Sequence, residues 1–378
     1  MSPRESSLST ASFSKLSELQ IRPIRTTELD ELIDLLCVVH ENTQRGERYR
    51  SYILGDPTWR PEQTPVVLVD DRIVSTLRIW DRHVHLGATP VRMGGIGGVT
   101  THPDYRRRGL ANQLMAHAAE TMRSSGYELG LLFTIIPARF YRRLGWCSVP
   151  LTGFRATLHQ CPDSACGPWV VPFEAARDLE EVVTLYQRNN AGRSGTLLRP
   201  RPYWDYTPSQ VRGVLPTVVA RDSMGLVGYL NWEMKSDRAY VNEVAWANPP
   251  SLQALVLHLL AECDTAAVTE VYGGIPPGHA FVDALVVTAE ADLRHTGDGS
   301  MMALPLDMSS LIDKVLPRAP QEIRRLPADL LCRLLFGESS AGELIPVLHS
   351  RGIEPDIPRR LEELCPRREL IFWQPDHF

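Results

Sequence analysis

The hydrophobic positions in the middle of the first half of the chain follow a strand–helix–strand order. Residues 96–101 form a strand-like run that leads into a Pro-Asp turn. The apolar residues of the next segment recur at every fourth position and therefore share one face of a helix: Leu110, Leu114, Ala118 and Met122. Gly126 is a typical helix stop, and residues 129–136 form a second apolar run. The pattern predicts a βαβ unit whose helix begins directly after three arginines.

The pattern on either side of this unit predicts two domains of similar topology. A strand, helices and hairpins precede the unit, and strands near residues 146–158 are expected to close the first domain. The Pro-, Cys- and Gly-rich segment 160–168 is typical of a linker, and the same order of elements recurs after it. The predicted parts are a disordered tail (1–19), a first domain (20–160), a second domain (161–300) and a reduced, mainly helical region (301–378). The last residues of this region are apolar and aromatic, which predicts either a tail packed into the protein or a closing core strand. The expected fold class is α/β, or α+β, with mixed, mostly antiparallel sheets and flanking helices.

Composition argues against several classes of protein. The chain is 43% hydrophobic with a net charge of −5, as in ordinary globular domains, which argues against nucleic acid as the main partner. No apolar run approaches the roughly 20 residues that span a bilayer. The Ser-rich N-terminus lacks the hydrophobic centre of a secretory signal. The seven cysteines are scattered and suggest neither a zinc site nor a disulfide framework. We therefore expect a cytoplasmic protein with no bound metal and no membrane partner.

The start of the predicted helix has the features of an anion site. A helix that opens after a strand presents free backbone N–H groups and the positive end of its dipole. Gly109 would let a phosphate approach the backbone, and the three arginines before it add positive charge. The corresponding segment of the second domain, residues 247–251, has the sequence Ala-Asn-Pro-Pro-Ser, in which two prolines remove backbone donors. We expect the first helix start to bind a pyrophosphate and the second not to.

These residues resemble the Gcn5-related acyltransferase superfamily, in which an Arg/Gln-x-x-Gly-x-Gly/Ala turn binds the pyrophosphate of acetyl-CoA. The segment 106–111 fits that turn. The strand residues 99–101, Val-Thr-Thr, and the sequence Phe-Tyr-Arg-Arg-Leu-Gly-Trp at 140–146 match two further elements in the expected order. The resemblance implies that the pyrophosphate is held by Arg106, Arg107, Arg108, Gly109, Leu110 and Ala111.

Tandem domains with a degenerate second copy and an apolar C-terminal residue resemble the Eis (enhanced intracellular survival) family of bacterial N-acetyltransferases. The resemblance implies that the backbone of Val99 and Thr101 pairs with the pantetheine arm of CoA. It also implies that Tyr141 is the general acid toward the CoA thiolate and that the α-carboxylate of Phe378 is the base. Tyr141 could instead be a core aromatic behind Phe140. The region after residue 300 is too short for the sheet of the family's third part, which puts the family's mode of oligomerisation in doubt.

The residues leave alternatives for the general base. Many relatives use a glutamate on the fourth strand, but the corresponding strand here holds Gly95, Gly97 and Gly98. An α-carboxylate, with an ordinary pKa of about 3.5, could accept the proton of an amine. Five other residues could serve as base or contact the substrate, although each is more often a surface group: His40, Glu41, His83, His85 and His377. Three aromatic residues of the second domain either line a substrate cleft or form a surface cluster or oligomer contact: Tyr203, Trp204 and Tyr206.

These interpretations predict an acetyl-CoA-dependent N-acetyltransferase. The expected acceptor is a primary amine of a cationic small molecule, such as an aminoglycoside-like antibiotic or a polyamine, or a lysine. An antibiotic-resistance role and a homo-oligomeric state are expected with it. Two alternatives remain: a catalytically silent protein that binds acyl-CoA, and an enzyme that uses a longer acyl donor.

Overall fold

The computed structural model describes residues 19–39, 46–160, 169–205, 215–352 and 365–378. The strands, numbered along the chain, are β1 (Gln20–Pro23), β2 (Pro65–Val69), β3 (Arg72–Leu86), β4 (Thr89–Thr101), β5 (Leu129–Phe133), β6 (Cys147–Ser148), β7 (Leu151–Thr157), β8 (Trp169–Pro172), β9 (Leu197–Leu198), β10 (Val218–Asp222), β11 (Gly225–Lys235), β12 (Arg238–Trp246), β13 (Glu270–Gly273), β14 (Asp292–Asp298) and β15 (Met301–Pro305). The α-helices are α1 (Leu29–Val39), α2 (Gly46–Leu54), α3 (Leu110–Ser124), α4 (Arg139–Arg142), α5 (Ala175–Asn190), α6 (Arg201–Asp205), α7 (Pro249–Thr265), α8 (Ala280–Ala289), α9 (Met308–Val315), α10 (Gln321–Arg324), α11 (Ala328–Phe336) and α12 (Ala341–Ser350).

The first sheet has the order β1-β2-β3-β4-β5-β15-β6, with β9 paired to the edge of β3. Its strands run antiparallel except for β4 and β5, which α3 connects as a crossover helix. Successive side chains of a strand point to opposite faces. Leu77 and Ile79 of β3 accordingly pack with α3, whereas Val66 and Leu68 of β2 pack with α1 and α2 on the other face.

The second sheet repeats this topology in the order β14-β7-β13-β12-β11-β10-β8. Its only parallel pair among the described strands is β12 with β13, which α7 connects as α3 connects β4 and β5. The predicted fold class, with two mainly antiparallel sheets and flanking helices, is confirmed, and the repeated topology is consistent with tandem domains.

The two sheets exchange strands, so the sequence boundaries at 160 and 300 do not separate them. The prediction that strands up to Leu158 close the first domain is wrong, because β7 pairs with β13 and β14 of the second sheet. Strand β15 in turn lies between β5 and β6 of the first sheet. The chain leaves the first sheet at Pro150, which has no N–H group to extend the ladder of β6.

The C-terminal region is mainly helical after β15, as predicted. The apolar sides of α9, α11 and α12 pack against the end of the first sheet formed by Val84, Val91 and Leu131. The final segment, residues 365–378, contains no regular strand and only one isolated bridge, between Ser194 and Leu370. Its apolar residues are nonetheless buried, which confirms a packed C-terminal tail rather than a closing core strand: Ile371, Phe372 and Trp373.

Candidate active site

The strands β4 and β5 separate at the centre of the first sheet. They pair from Met93 with Leu129 to Ile96 with Leu132, but β4 continues to Thr101. A bulge in β4, where Gly98 has a φ of +61°, shifts its register against β3 and bends the strand away. In the described strand pairing, the β5-facing edge of residues 97–101 therefore has no ladder partner, and its backbone groups are available to an extended ligand.

The predicted anion site lies at the end of β4. Arg106, Arg108 and Gly109 are exposed, and the backbone takes left-handed conformations at Arg107 (φ +63°) and Gly109 (φ +77°). Such alternation turns successive N–H groups toward one concave side. No atom of the described residues lies within 4 Å of the position that a Cβ of Gly109 would occupy. The loop is thus open to a phosphate group.

The start of α3 continues this site. Gly109 is its N-cap and supplies no side-chain cap, and the first turn, which begins at Leu110, holds no acidic residue. The N–H groups of a first helical turn have no partner within the helix. The arginines are held locally, since Arg106 Nε donates to the carbonyl oxygen of Thr101 at 3.3 Å and Arg108 donates to that of Asp104 at 2.9 Å. The structure therefore gathers segment 106–111 into one basic, donor-rich loop.

The C-terminal residue lies on the face of β4 that is opposite α3. A Cβ at Gly95 would come within 2.5 Å of the Phe378 ring, and a Cβ at Gly97 would lie 3.1 Å from the Phe378 carboxyl carbon. Gly95 and Gly97 therefore stand on the strand where many relatives have a carboxylate, and their lack of a side chain leaves room for the C-terminal carboxylate of Phe378. The Nε1 atom of Trp80 lies 3.1 Å from the same Cβ position of Gly97.

Aromatic contacts hold the tail against the end of β5. The ring of His377 stacks on Phe133 at 4.0 Å, and the rings of Phe372 and Phe378 contact Phe133 edge-on at 4.8 and 5.5 Å. Because Phe133 is the last residue of β5, these contacts place the tail beside the point where β4 and β5 separate.

Tyr141 lies on the short helix α4 and is buried, with its ring 4.9 Å from Phe140 and 6.4 Å from Trp146. Its side chain is more buried than that of Phe140, so the ring of Tyr141 is part of the hydrophobic core. Burial raises the pKa of its hydroxyl, and a hydrogen bond with Thr134 opposes that rise. Thr134 directly follows β5, which places the hydroxyl near the end of the β4–β5 gap.

The tail is fixed by the second domain through a buried ion cluster. Arg199 donates through Nε and one terminal nitrogen to the two oxygens of Asp376, both at 2.9 Å. It also donates to Glu243 of β12 at 3.1 Å, and all three side chains are fully buried. Tyr203 and Tyr229 donate to Asp376 and Glu243 at 3.1 and 2.6 Å. Asp376 is therefore held rigidly two residues before the terminal carboxylate.

The charges of this cluster depend on one another. Burial alone would lower the pKa of Arg199, but the carboxylates of Asp376 and Glu243 raise it well above its ordinary value. Burial raises the pKa of Glu243, and the neighbouring guanidinium opposes that rise. Loss of Arg199 would leave two buried carboxylates without their cation, which is strongly destabilising.

Further contacts to the second domain hold the rest of the tail. Trp373 donates through Nε1 to the side-chain oxygen of Asn190 at 2.9 Å, and Tyr240 donates to Gln374 at 2.8 Å. Arg193 pairs with Glu369 at 2.6 Å. The tail thus lies between the two domains, anchored on one and ending on the other.

The structure places His83 and His85 away from this site. His83 is exposed, and His85 contacts Thr196 at 3.2 Å; both line a cavity of about 810 Å³ between β3 and α5. Strand alternation places both on the face of β3 opposite Trp80. Burial lowers the pKa of His85. His40 and Glu41 lie outside the described residues, as does Tyr206. Tyr203 and Trp204 are buried in the second core, so neither forms a surface cluster.

Sequence reasoning missed a second buried charge cluster beside the tail. Arg78 and Arg82 of β3 pair with Asp56 at 2.6 and 2.9 Å. The Arg78 guanidinium lies 3.4 Å from the centre of the Trp80 ring. Burial alone would raise the pKa of Asp56, but the two arginines hold it below its ordinary value. The period-two spacing of Arg78, Trp80 and Arg82 was the available signal, since it places all three on one face.

The described residues also bear on metal binding and on membrane insertion. They contain no group of three or more His, Cys, Asp or Glu side chains placed to hold a metal ion. None of the helices in the described part of the chain is long and apolar enough to cross a membrane.

Comparisons with known proteins agree with this fold. Residues 20–149 match the acetyltransferase (GNAT) domain family. A probable N-acyltransferase from Enterococcus faecalis superposes with a TM-score of 0.64 at 18% identity, covering 79% of this chain and 75% of its own. A GCN5-related N-acetyltransferase from Kribbella flavida gives 0.62 at 21% identity, covering 80% and 75%. Eis1 from Mycobacterium abscessus gives 0.63 at 14% identity and covers 96% of this chain and 100% of its own.

The matched domain, together with the shared fold, gives the class of the protein. It is an acyltransferase with a GNAT domain in its N-terminal part. At these identities the structural likeness shows a shared fold, which Eis1 matches over nearly the whole chain.

Proposed function

We propose that the protein transfers an acetyl group from acetyl-CoA to a primary amine. The observation that carries this proposal is the meeting of three features at the β4–β5 gap. The loop of backbone N–H donors at residues 106–111 lies at the end of β4. The C-terminal carboxylate of Phe378 lies next to Gly97, and the hydroxyl of Tyr141 lies near Thr134. Residues 106–111 would bind the pyrophosphate of CoA, and the free edge of Val99 and Thr101 would bind its pantetheine arm.

The chemistry requires a neutral amine, a polarised carbonyl and a protonated leaving group. The α-carboxylate of Phe378 takes a proton from the amine, whose nitrogen then forms the C–N bond as the C–S bond breaks. Tyr141 gives its hydroxyl proton to the departing thiolate. Because burial raises the pKa of Tyr141, the hydroxyl remains protonated at neutral pH and can act as the acid. Donors from the free β4 edge would polarise the thioester oxygen.

The acceptor is a primary amine of a cationic small molecule or of a lysine in this proposal. A donor with a longer acyl chain is the second candidate, because a cavity adjoins Gly97 and Gly98 near the proposed position of the thioester. Competition between acetyl-CoA and butyryl-CoA at a fixed amine concentration distinguishes the two donors.

The direct test is thiol release from acetyl-CoA with a panel of primary amines, accompanied by mass analysis of the products. The proposal expects release that depends on the amine and a product that is 42 Da heavier, the mass an acetyl group adds. Tight CoA binding without turnover on any amine would favour a silent acyl-CoA-binding protein.

A further inference from the structure

A small apolar cavity lies beside the terminal carboxylate, between the helices α1 and α2 and the sheet. Its volume is about 90 Å³. Most of its lining is aliphatic or aromatic. The lining includes Leu32, Leu36, Tyr52, Ile53, Trp80 and Arg78. Tyr52 and Trp80 contact edge-on, with ring centres 4.5 Å apart, and form one wall.

The cavity adjoins the proposed base. Gly97 lines the cavity, and the carboxyl carbon of Phe378 lies 3.1 Å from the position of a Gly97 Cβ. Gly95 and Gly97 lie on the same face of β4, so the tail and the cavity share the side of the sheet opposite α3. An amine held by the carboxylate would therefore have its nearest substituent in or next to this cavity.

The charges around the cavity disfavour a second ammonium group. Among the described residues that line it, Arg78 is the charged one, and no Asp or Glu is present. Arg78, Arg82 and Asp56 together carry one net positive charge and are buried. A polyamine or an aminoglycoside would place additional cations near this charge, and the described lining offers no carboxylate to pair with them.

We propose, on the basis of the proposed function, that the acceptor is an amine carried on an alkyl or aryl body and charged only at the reacting nitrogen. The apolar body occupies the cavity, and the carboxylate of Phe378 holds the amine. This selects a hydrophobic monoamine from the wider set of primary amines. Removing the body from water supplies binding that a hydrated polycation cannot gain in an apolar site.

The test compares kcat/KM for hexylamine and phenethylamine with that for spermidine and kanamycin, at saturating acetyl-CoA. Hydrophobic monoamines should be preferred by at least about tenfold, since a well-filled apolar pocket discriminates on that scale. Faster acetylation of spermidine or kanamycin would overturn this acceptor assignment and leave the proposed function intact. Tight CoA binding with no turnover on any amine would overturn the proposed function, and the assignment with it.

A pair of variants on α2 locates the acceptor. Ile53→Trp fills the cavity, whereas Leu54→Trp adds the same side chain at the next, exposed position. Ile53→Trp should lower kcat/KM for phenethylamine about tenfold and spare methylamine, which has no body to place there. Leu54→Trp should spare both, and CoA affinity and melting temperature verify that each variant is folded. An equal loss for both amines in folded Ile53→Trp, or a change in acyl-chain preference instead, would contradict the assignment.

Discussion

The starts of the helices α3 and α7 occupy equivalent places in two sheets of the same topology, yet their chemistry is opposite. At α3 a glycine N-cap with a φ of +77° leaves the donors of the first turn uncapped beside three arginines. At α7 the Asn248 side chain accepts from the N–H of Ser251 at 2.9 Å, and Pro249 and Pro250 supply no N–H at all. One helix start is open to an anion, and the other is closed by its own residues.

The difference teaches that topology alone does not make an anion site. The backbone donors and the charges at the helix start decide whether an anion can bind, and the start of α7 lacks both. That domain instead contributes Arg199 and Glu243, which hold Asp376 and thereby the terminal carboxylate. In the proposed function, the first domain therefore binds the acyl donor and the second positions the residue proposed as base.

Removal of Phe378 is expected to have the largest effect, because it displaces the proposed base. Turnover should fall by about 10²- to 10⁴-fold, the usual contribution of general base catalysis, with CoA affinity unchanged. Steady-state kinetics and calorimetric CoA titration measure the two quantities. Phe378→Leu is the matched control, since it keeps the α-carboxylate and should lose far less. Equal losses in both variants would show that the ring, not the carboxylate, matters.

Arg199→Ala should follow in size, because it leaves two buried carboxylates without their cation. The free energy of unfolding should fall by about 3–5 kcal/mol, and turnover should fall toward that of the Phe378 deletion in the fraction that remains folded. Chemical denaturation and kinetics below the new midpoint provide the measurements. Arg201→Ala, an exposed neighbour in surface ion pairs, should change stability by less than about 1 kcal/mol. Full activity in folded Arg199→Ala would refute the anchoring role.

Tyr141→Phe should lower kcat by about tenfold to 10²-fold while CoA affinity stays nearly constant. A proton donor works only below its pKa, and burial raises the pKa of Tyr141 above its ordinary value. The wild-type rate should therefore hold through neutral pH, and any decline caused by this group should begin at a higher pH than an ordinary tyrosine would give. A large loss of CoA binding in the variant would instead assign Tyr141 a structural role.

Arg106→Ala and Arg108→Ala should each weaken CoA binding by about tenfold, the scale of one charge-assisted hydrogen bond to phosphate. Isothermal titration at two salt concentrations should show a smaller salt dependence in each variant, because fewer charges contact the ligand. Asn248→Ala is the control at the other helix start: it should cost about 1 kcal/mol of stability and leave CoA affinity unchanged. Weaker CoA binding in Asn248→Ala would mean that the second helix start contributes to the site.

Local patterns predicted the parts of this molecule whose determinants are close in sequence. Segment 106–111, its strand and its helix were readable because spacing and residue type together specify an open helix start. The glycines of β4 likewise indicated a missing strand carboxylate. The strand exchange could not be predicted from the sequence, since β6 is only two residues long and lies three residues before β7, and only the strand pairing shows that they belong to different sheets.

The tail anchor was beyond sequence reasoning for a physical reason. Arg199 and Asp376 are 177 positions apart, and no periodicity links a buried arginine to its acidic partners. From a single sequence, charged residues such as these are predicted to lie on the surface, because a charge is buried only when its partner is present. The apolar C-terminus indicated a packed tail, but only the fold shows which residues the tail packs against.

Calorimetric titration of CoA into the intact chain and into the Arg106→Ala/Arg108→Ala double variant tests the central claim most directly. The account predicts one CoA per wild-type chain and an affinity about 10²-fold weaker in the double variant, with the melting temperature of the free protein unchanged. Two CoA molecules per chain, or an unchanged affinity in the double variant, would contradict it.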